Sequence, residues 1–276
     1  MKKVWGLCGF LIFGIYPLAT MAGIIAEGDD CGQHCHWEID TETKTLKVIG
    51  SGEMKNYSRP CTTSANCRTT APWVDYSADI KNIDISEGFT SLGTAAFADL
   101  YVNDVHLPST LEVIGDVALE SHFYNINIPD SLKTIGFQAL NANNLTELIL
   151  NDGLVSIGSY ALAQGKLETL VIPDSVTYIS ANVFGDTREG WNHSLIKKLY
   201  CSKDIEEQCK KAAELNQAEV VSYTKTKDGK YLIGGKIYNS ANDVLKGLYI
   251  PKRIYTIEEA EKASKKTGNT FRLRYK

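Results

Sequence analysis

Ile126-Asn127-Ile128-Pro129-Asp130-Ser131-Leu132-Lys133-Thr134-Ile135-Gly136 and Leu170-Val171-Ile172-Pro173-Asp174-Ser175-Val176-Thr177-Tyr178-Ile179 are two copies of one pattern. Each is an apolar run, a Pro-Asp-Ser turn and a second apolar run. Proline presets φ while Asp and Ser bond the local backbone, so the middle of each copy redirects the chain. Equivalent turns stand at Ser86-Glu87-Gly88, Pro108-Ser109-Thr110 and Asn151-Asp152-Gly153. Working outward, six windows carry large apolar residues in the order L-x-x-L-x-L: Ile80/Ile83/Ile85, Val102/Val105/Leu107, Phe123/Ile126/Ile128, Leu145/Leu148/Leu150, Leu167/Leu170/Ile172 and Ile196/Leu199/Cys201. Their middle positions advance by 22, 21, 22, 22 and 29 residues. A second column keeps the same step: Leu92, Ile114, Ile135, Ile157 and Ile179, each followed five residues later by Phe97, Leu119, Leu140, Leu162 and Phe184. Two columns locked to one period mean repeated units that cannot bury their apolar faces alone and must stack into a continuous core. The expected fold is a mostly β solenoid of about six repeats of 21–22 residues. Each unit reads as a strand, a turn, a second extended piece and a short turn or half-helix around the Ala-Phe or Ala-Leu pair.

These units resemble the repeat of BspA-type leucine-rich-repeat proteins, which runs roughly L-x-x-I-x-I-P-x-S-V-x-x-I-G-x-x-A-F. The resemblance is strong from Ile80 to Cys201 and departs in the last step, where Arg188 to Ser194, with Trp191, breaks the period. Residues 35–79 also resemble that family's amino-terminal cap, through Trp37-Glu38-Ile39-Asp40, Leu46 to Gly52 and Ala71-Pro72-Trp73. The resemblance implies a surface protein that adheres to host matrix or to other cells, with no catalytic residue in the repeat.

A solenoid needs its ends covered. The alternation in Trp37 to Asp40 and Leu46 to Ile49 predicts a hairpin within a cap spanning 31–79. After the repeats (80–201), Asp204 to Gln217 predicts a capping helix (202–219) with Ile205, Cys209, Ala212, Ala213 and Leu215 on one side. In the appendage 220–276, Val220 to Tyr223, Lys230 to Ile233 and Lys236 to Tyr238 suggest a small β meander. A helix over Thr256 to Lys266 and a basic-faced strand over Phe271 to Lys276 complete an α+β segment.

Met1 to Lys3 followed by the apolar run Val4 to Ile15 and the small residues Ala19, Thr20 and Ala22 predicts a signal peptide over 1–22, with a cut after Ala26 as the alternative. The uncharged stretch from Val4 to Ala26 also permits an uncleaved anchor, against which Gly6, Gly9, Gly14 and Pro17 argue. No later segment is apolar enough to span a membrane, and no sorting signal or lipobox cysteine is found. Of seven cysteines, Cys8 falls in the leader, and six remain as local pairs: Cys31 with Cys35, Cys61 with Cys67, Cys201 with Cys209. Even, local pairing suits disulfides in an oxidising compartment. Zinc at Cys31-Gly32-Gln33-His34-Cys35-His36 is the alternative for the first pair, although its spacing matches no common ligand pattern. For Cys201 and Cys209 the alternative is two buried thiols.

Residues flanking the middle apolar position of each window point away from the core. They form two rows on the concave sheet: Asn82, Asp104, Asn125, Glu147, Thr169 and Lys198, beside Asp84, His106, Asn127, Ile149, Val171 and Tyr200. Ile149 and Val171 are expected as adjacent apolar residues facing solvent, a pattern that can mark an interface. Between Val74 and Gly190 there are 16 acidic and 4 basic residues, a net of −12, which makes nucleic acid an unsuitable partner. Pro251 to Lys276 carries 8 basic and 3 acidic residues, a net of +5, suited to an anionic envelope, to the acidic repeats or simply to solvent. His106 beside Asp84 and Asp104 offers a base with a carboxylate but no nucleophile. The five histidines, His34, His36, His106, His122 and His193, form no metal-ligand set, and no cofactor is expected. The expected function is therefore a non-enzymatic exported protein that binds an extracellular protein or glycan on the concave sheet. A periplasmic or envelope scaffold without a host ligand is the alternative. Asn56, Asn144 and Asn192 head Asn-x-Ser/Thr sites, of consequence only in a source that glycosylates asparagine.

Overall fold

Alternation at the front of the chain forms three antiparallel strands, β1 (Ile24–Gly28), β2 (Cys35–Asp40) and β3 (Thr45–Gly50), with Trp37 opposite Val48 and Ile39 opposite Leu46. The computed structural model describes residues 23–60, 67–141, 143–186 and 194–247. Because side chains alternate across a strand, Cys35, Trp37, Ile39, Leu46 and Val48 all enter the core. The short β4 (Gly52–Glu53) follows, and a 3-10 turn at Pro72–Tyr76 buries Trp73. That ring meets Trp37 and Tyr57 edge-on, stacks on Phe97 at 5.4 Å, and donates from Nε1 to the Ala96 carbonyl at 2.7 Å. The indole thus covers the first repeat with its one polar atom satisfied.

The chain then winds in coils, each placing one strand in front and one behind. The successive pairs are β5 (Asn82–Ile85) and β6 (Phe89–Leu92), β7 (Asp104–His106) and β8 (Val113–Ile114), then β9 (Asn125–Ile126) and β10 (Thr134–Ile135). β11 (Ser156–Ile157) has only its rear strand, and β12 (Thr169–Val171) with β13 (Tyr178–Ile179) and then β14 (Lys198–Ser202) complete the coils. Rear strands pair in parallel and in register, so Leu92, Ile114, Ile135, Ile157 and Ile179 lie one above another. In front, β3, β5, β7 and β9 form a matching parallel ladder. The window Leu145/Leu148/Leu150 departs from expectation: its three apolar residues are buried, yet it contains no strand. Asn143 accepts from the Leu145 N–H at 2.9 Å and donates to the Leu140 carbonyl, so local side-chain bonds capture backbone groups at the entry to this window. The front ladder is therefore interrupted between β9 and β12.

Around each Ala-Phe or Ala-Leu pair the structure has a turn rather than a half-helix. Ala95, Val117, Gln138 and Tyr160, equivalent positions in four coils, adopt positive φ between 52° and 60°. Each sends its N–H to the next coil, accepted by the carbonyls of Asp116, Phe137, Ser159 and Asn182. A left-handed residue costs roughly 1–2 kcal/mol, and this repeated inter-coil bond offsets that strain. Gly115 sits where coils touch: a Cβ there would fall 2.5 Å from the Leu92 carbonyl oxygen.

After β14, a 3-10 turn at Lys203–Ile205 leads into α1 (Glu206–Glu214), shorter than the predicted helix. Ile205, Cys209, Ala212 and Ala213 are buried, whereas Leu215, expected with them, lies just past the helix end and is exposed. The Cys201–Cys209 disulfide ties α1 to β14. β15 (Glu219–Lys225) then pairs in parallel with β14 and extends the front sheet, followed antiparallel by β16 (Tyr231–Ile233) and β17 (Lys236–Tyr238). The short α2 (Ala241–Leu245), whose Ser240 cap accepts from the Asp243 N–H at 3.1 Å, comes back against β12. The expected leader, the Arg188 to Ser194 insertion through His193, the helix at 256–266 and the strand at 271–276 lie outside the described residues.

Candidate binding face

The two predicted rows do lie on the front of the coils, but only their first halves are open. Asp84, His106, Asn125, Asn127 and Glu147 are exposed, with Asn82 and Asp104 half-buried beside them. Ile149 is 49% exposed, as expected. Val171 is not: it is 2% exposed and packs with Tyr223, Tyr231 and Val244 in a second apolar cluster. Tyr200 is half-buried against the same cluster, Thr169 is half-buried, and Lys198 is engaged by Glu219 at 2.7 Å. The meander and α2 thus cover the rows from Thr169 onward.

That cover is fixed by polar groups at the coil turns. Lys225 bridges Asp152 at 2.9 Å and Asp174 at 2.8 Å, and its ammonium lies 5.1 Å from the Tyr231 ring centre. Tyr223 donates to the Ile172 carbonyl at 2.6 Å. Burial alone would depress the Lys225 pKa, but the bonds to Asp174 and Asp152 outweigh it and hold the ammonium above its ordinary value.

The open half is mostly polar, with Tyr101, His122 and Tyr124 exposed among the polar residues. Asp84 pairs in register with His106, yet His106 makes no hydrogen bond to Asp84 or Asp104, so the base-and-carboxylate geometry is not assembled. Asn125 instead donates to Asp104 at 2.7 Å. Tyr124, 57% exposed, stands at the position after the first apolar residue of its window, one that the two-row reading leaves out. Its alternation with buried Phe123 and exposed His122 was the available signal. His122 stacks on Tyr101 of the neighbouring coil at 4.5 Å with planes 12° apart. Partial burial, helped by the charge of Lys166, lowers the His122 pKa below its usual value. Together Asp104, His106, Tyr124, Asn127 and Glu147 border a groove of about 350 Å³ at the place where the front ladder lapses.

Cys31 is disulfide-bonded to Cys35. Cys67 is also disulfide-bonded, while Cys61, its expected partner, lies outside the described residues. Among the described residues no group of three or more His, Cys, Asp or Glu is arranged to hold a metal ion, and no helix is long and apolar enough to cross a membrane.

Stacked coils with an L-x-x-L-x-L front strand and a second apolar column behind define a leucine-rich-repeat protein. Residues 75–189 match the model of the BspA type leucine rich repeat region in six copies. The fold is similar to the crystal structure of a leucine-rich repeat protein from Eubacterium ventriosum ATCC 27560, with a TM-score of 0.50 and 18% identity over 76% of this chain and 49% of that one. The chain thus spans about half the length of that protein. A leucine rich cell surface protein from Faecalibacterium prausnitzii A2-165 is also similar, at 15% identity over 73% of this chain and 59% of that one, with a TM-score of 0.31. No curated protein matches the chain.

Proposed function

We propose that this chain is an exported, non-enzymatic binding protein that holds an extracellular macromolecule, as a surface adhesin does, on the open half of its front sheet, from Asn82 to Ile149. The hairpin and α1 serve as the two caps of the array. The observation that carries this reading is the contrast between the two halves of one face. From Thr169 onward the face is packed and ion-paired, whereas Asp104, His106, Asn127 and Glu147 line a groove on the open half. Convergent polar groups around a concavity are the usual anatomy of a recognition site. The similarity of residues 75–189 to BspA-type repeats and disulfides suited to an oxidising compartment support an extracellular setting.

The test is saturable binding of residues 23–276 to immobilised matrix proteins, mucins and envelope polymers, beside a Glu147→Ala, Ile149→Asp double variant. Both side chains are exposed, so the variant should keep its fold. Binding lost in the folded variant supports the reading. Binding retained moves the site elsewhere, and no binding to any surface favours an envelope scaffold.

A further inference from the structure

We infer that the groove bordered by Asp104, His106, Tyr124 and Glu147 is a saccharide subsite, taking a neutral or N-acetylated oligosaccharide rather than an anionic one. The inference rests on the binding-protein reading and names the ligand class for the same face. A sugar ring presents two chemistries at once: hydroxyls that both donate and accept, and a flat face of C–H groups. The groove offers complements to both. Tyr124 supplies an exposed ring face, and aromatic rings carry a negative face that attracts the positive edge of C–H bonds.

Polar partners share the lining. Asp104 and Glu147 are acceptor-only carboxylates, while Asn127 and His106 each offer a donor and an acceptor. The Asn125 bond fixes Asp104 before any ligand arrives, which reduces the ordering cost of binding. Glu147 and its neighbour Thr146 belong to the window without a strand, and both line the groove. The volume of about 350 Å³ lies at the lower end of small-ligand sites, roughly 300–1,000 Å³.

Charge selects among sugars. Two carboxylates line the groove and no Lys or Arg does. A sulfated or sialylated chain would place like charges together, which costs affinity. A protein partner would seek a more apolar centre, with aromatic and Arg anchors and few charges. The groove lining has one aromatic anchor of that kind, Tyr124, and no Arg, and beside the aliphatic Val105, Ile126 and Leu145 it carries Asp104, Asn125, Asn127 and Glu147.

The experiment is titration calorimetry of the chain with cellotetraose, tetra-N-acetylchitotetraose, sialyllactose and a heparin tetrasaccharide, repeated with Tyr124→Ala and Asp104→Asn. Far-ultraviolet circular dichroism of the variants checks their fold. The expected result is binding of at least one neutral probe, none of the anionic probes, and a loss of about tenfold or more in Tyr124→Ala, the scale of one lost aromatic contact. Neutral binding undiminished in Tyr124→Ala, or preference for an anionic probe, overturns the assignment. If no saccharide binds but a matrix protein does, and Glu147→Ala abolishes it, the saccharide subsite fails while the broader reading stands. If neither class binds, both fail.

Discussion

Lys225 and Asp174 stand 2.8 Å apart across 51 residues of sequence, joining the C-terminal meander to the turn of a repeat. The lysine side chain is 16% exposed and shared with Asp152, whereas both carboxylates are more open to water. Replacing it with Met leaves partly solvated acids, so the expected cost is modest, about 1–2 kcal/mol. Val171→Asp should be more severe, because an unpaired carboxylate would have to enter an apolar cluster. Amide exchange should show residues 219–247 losing protection in both variants while 82–140 stay protected. Uniform loss across the chain would show that the meander and the coils unfold as one unit.

Glu120 carries the strongest pH signal in the array. Its carboxylate lies 2.7 Å from Arg59, which also grips Asp99. Its pKa is raised from 4.5 to about 7, chiefly by burial, with Arg59 opposing the rise and Asp99 adding to it. A carboxylate that holds its proton more tightly when folded stabilises the fold fully below pH 4.5, and that contribution disappears as pH rises through about 7. The size is on the order of 3 kcal/mol at most, since each pKa unit is roughly 1.4 kcal/mol. Melting temperatures from pH 5 to 8 should fall for the native chain and fall less for Glu120→Gln. Parallel slopes would remove Glu120 as the cause.

How much of this could be read from sequence follows from where each constraint lives. The apolar columns were legible because in-register stacking forces equivalent residues to recur at one spacing, as at Ile114, Ile135, Ile157 and Ile179. The open rows were legible as far as Ile149. Val171 was not, because what covers it comes from 219–247, and the alternation of a short meander does not say which surface it will meet. Tyr124 was within reach through its alternation with Phe123. The left-handed positions at Ala95, Val117, Gln138 and Tyr160 were hidden, since no glycine marks them and the compensation is a bond to the next coil. The Arg59 cluster joins residues 40 and 61 positions apart, with no periodicity to signal it.

The Cys201–Cys209 bond closes a short loop at the end of the core. Restricting the unfolded chain over this separation is worth about 2–3 kcal/mol on the entropic account. Cys209→Ala, or reduction, should lower the melting temperature and expose apolar surface near Ile205 and Ala212. Dye binding to exposed apolar surface, measured beside the melting curve, checks this, and an unaltered melt would mean that α1 holds its place by packing alone.

Gly115→Ala adds one methyl group, yet the Leu92 carbonyl oxygen and the Gly93 backbone occupy its place. Coils would have to separate or tilt, so the expected loss is about 2–4 kcal/mol, large for so small a change. Urea denaturation measures it. An exposed glycine such as Gly229, with nothing near its missing Cβ, serves as the control, although its φ of 78° carries its own strain.

The in-register pairing of the rear strands also has a consequence for descent. Each coil offers its neighbour the same row of backbone donors and acceptors that it receives from the one before. A gene segment encoding one whole coil can be copied or lost in frame, and every remaining seam finds an equivalent partner. A gain of a few residues inside a ladder strand has no such escape, because it shifts everything downstream off its row. Extra residues are therefore expected between the ladder strands, as in the 29-residue last step, and whole coils can be gained or lost without redesigning either end.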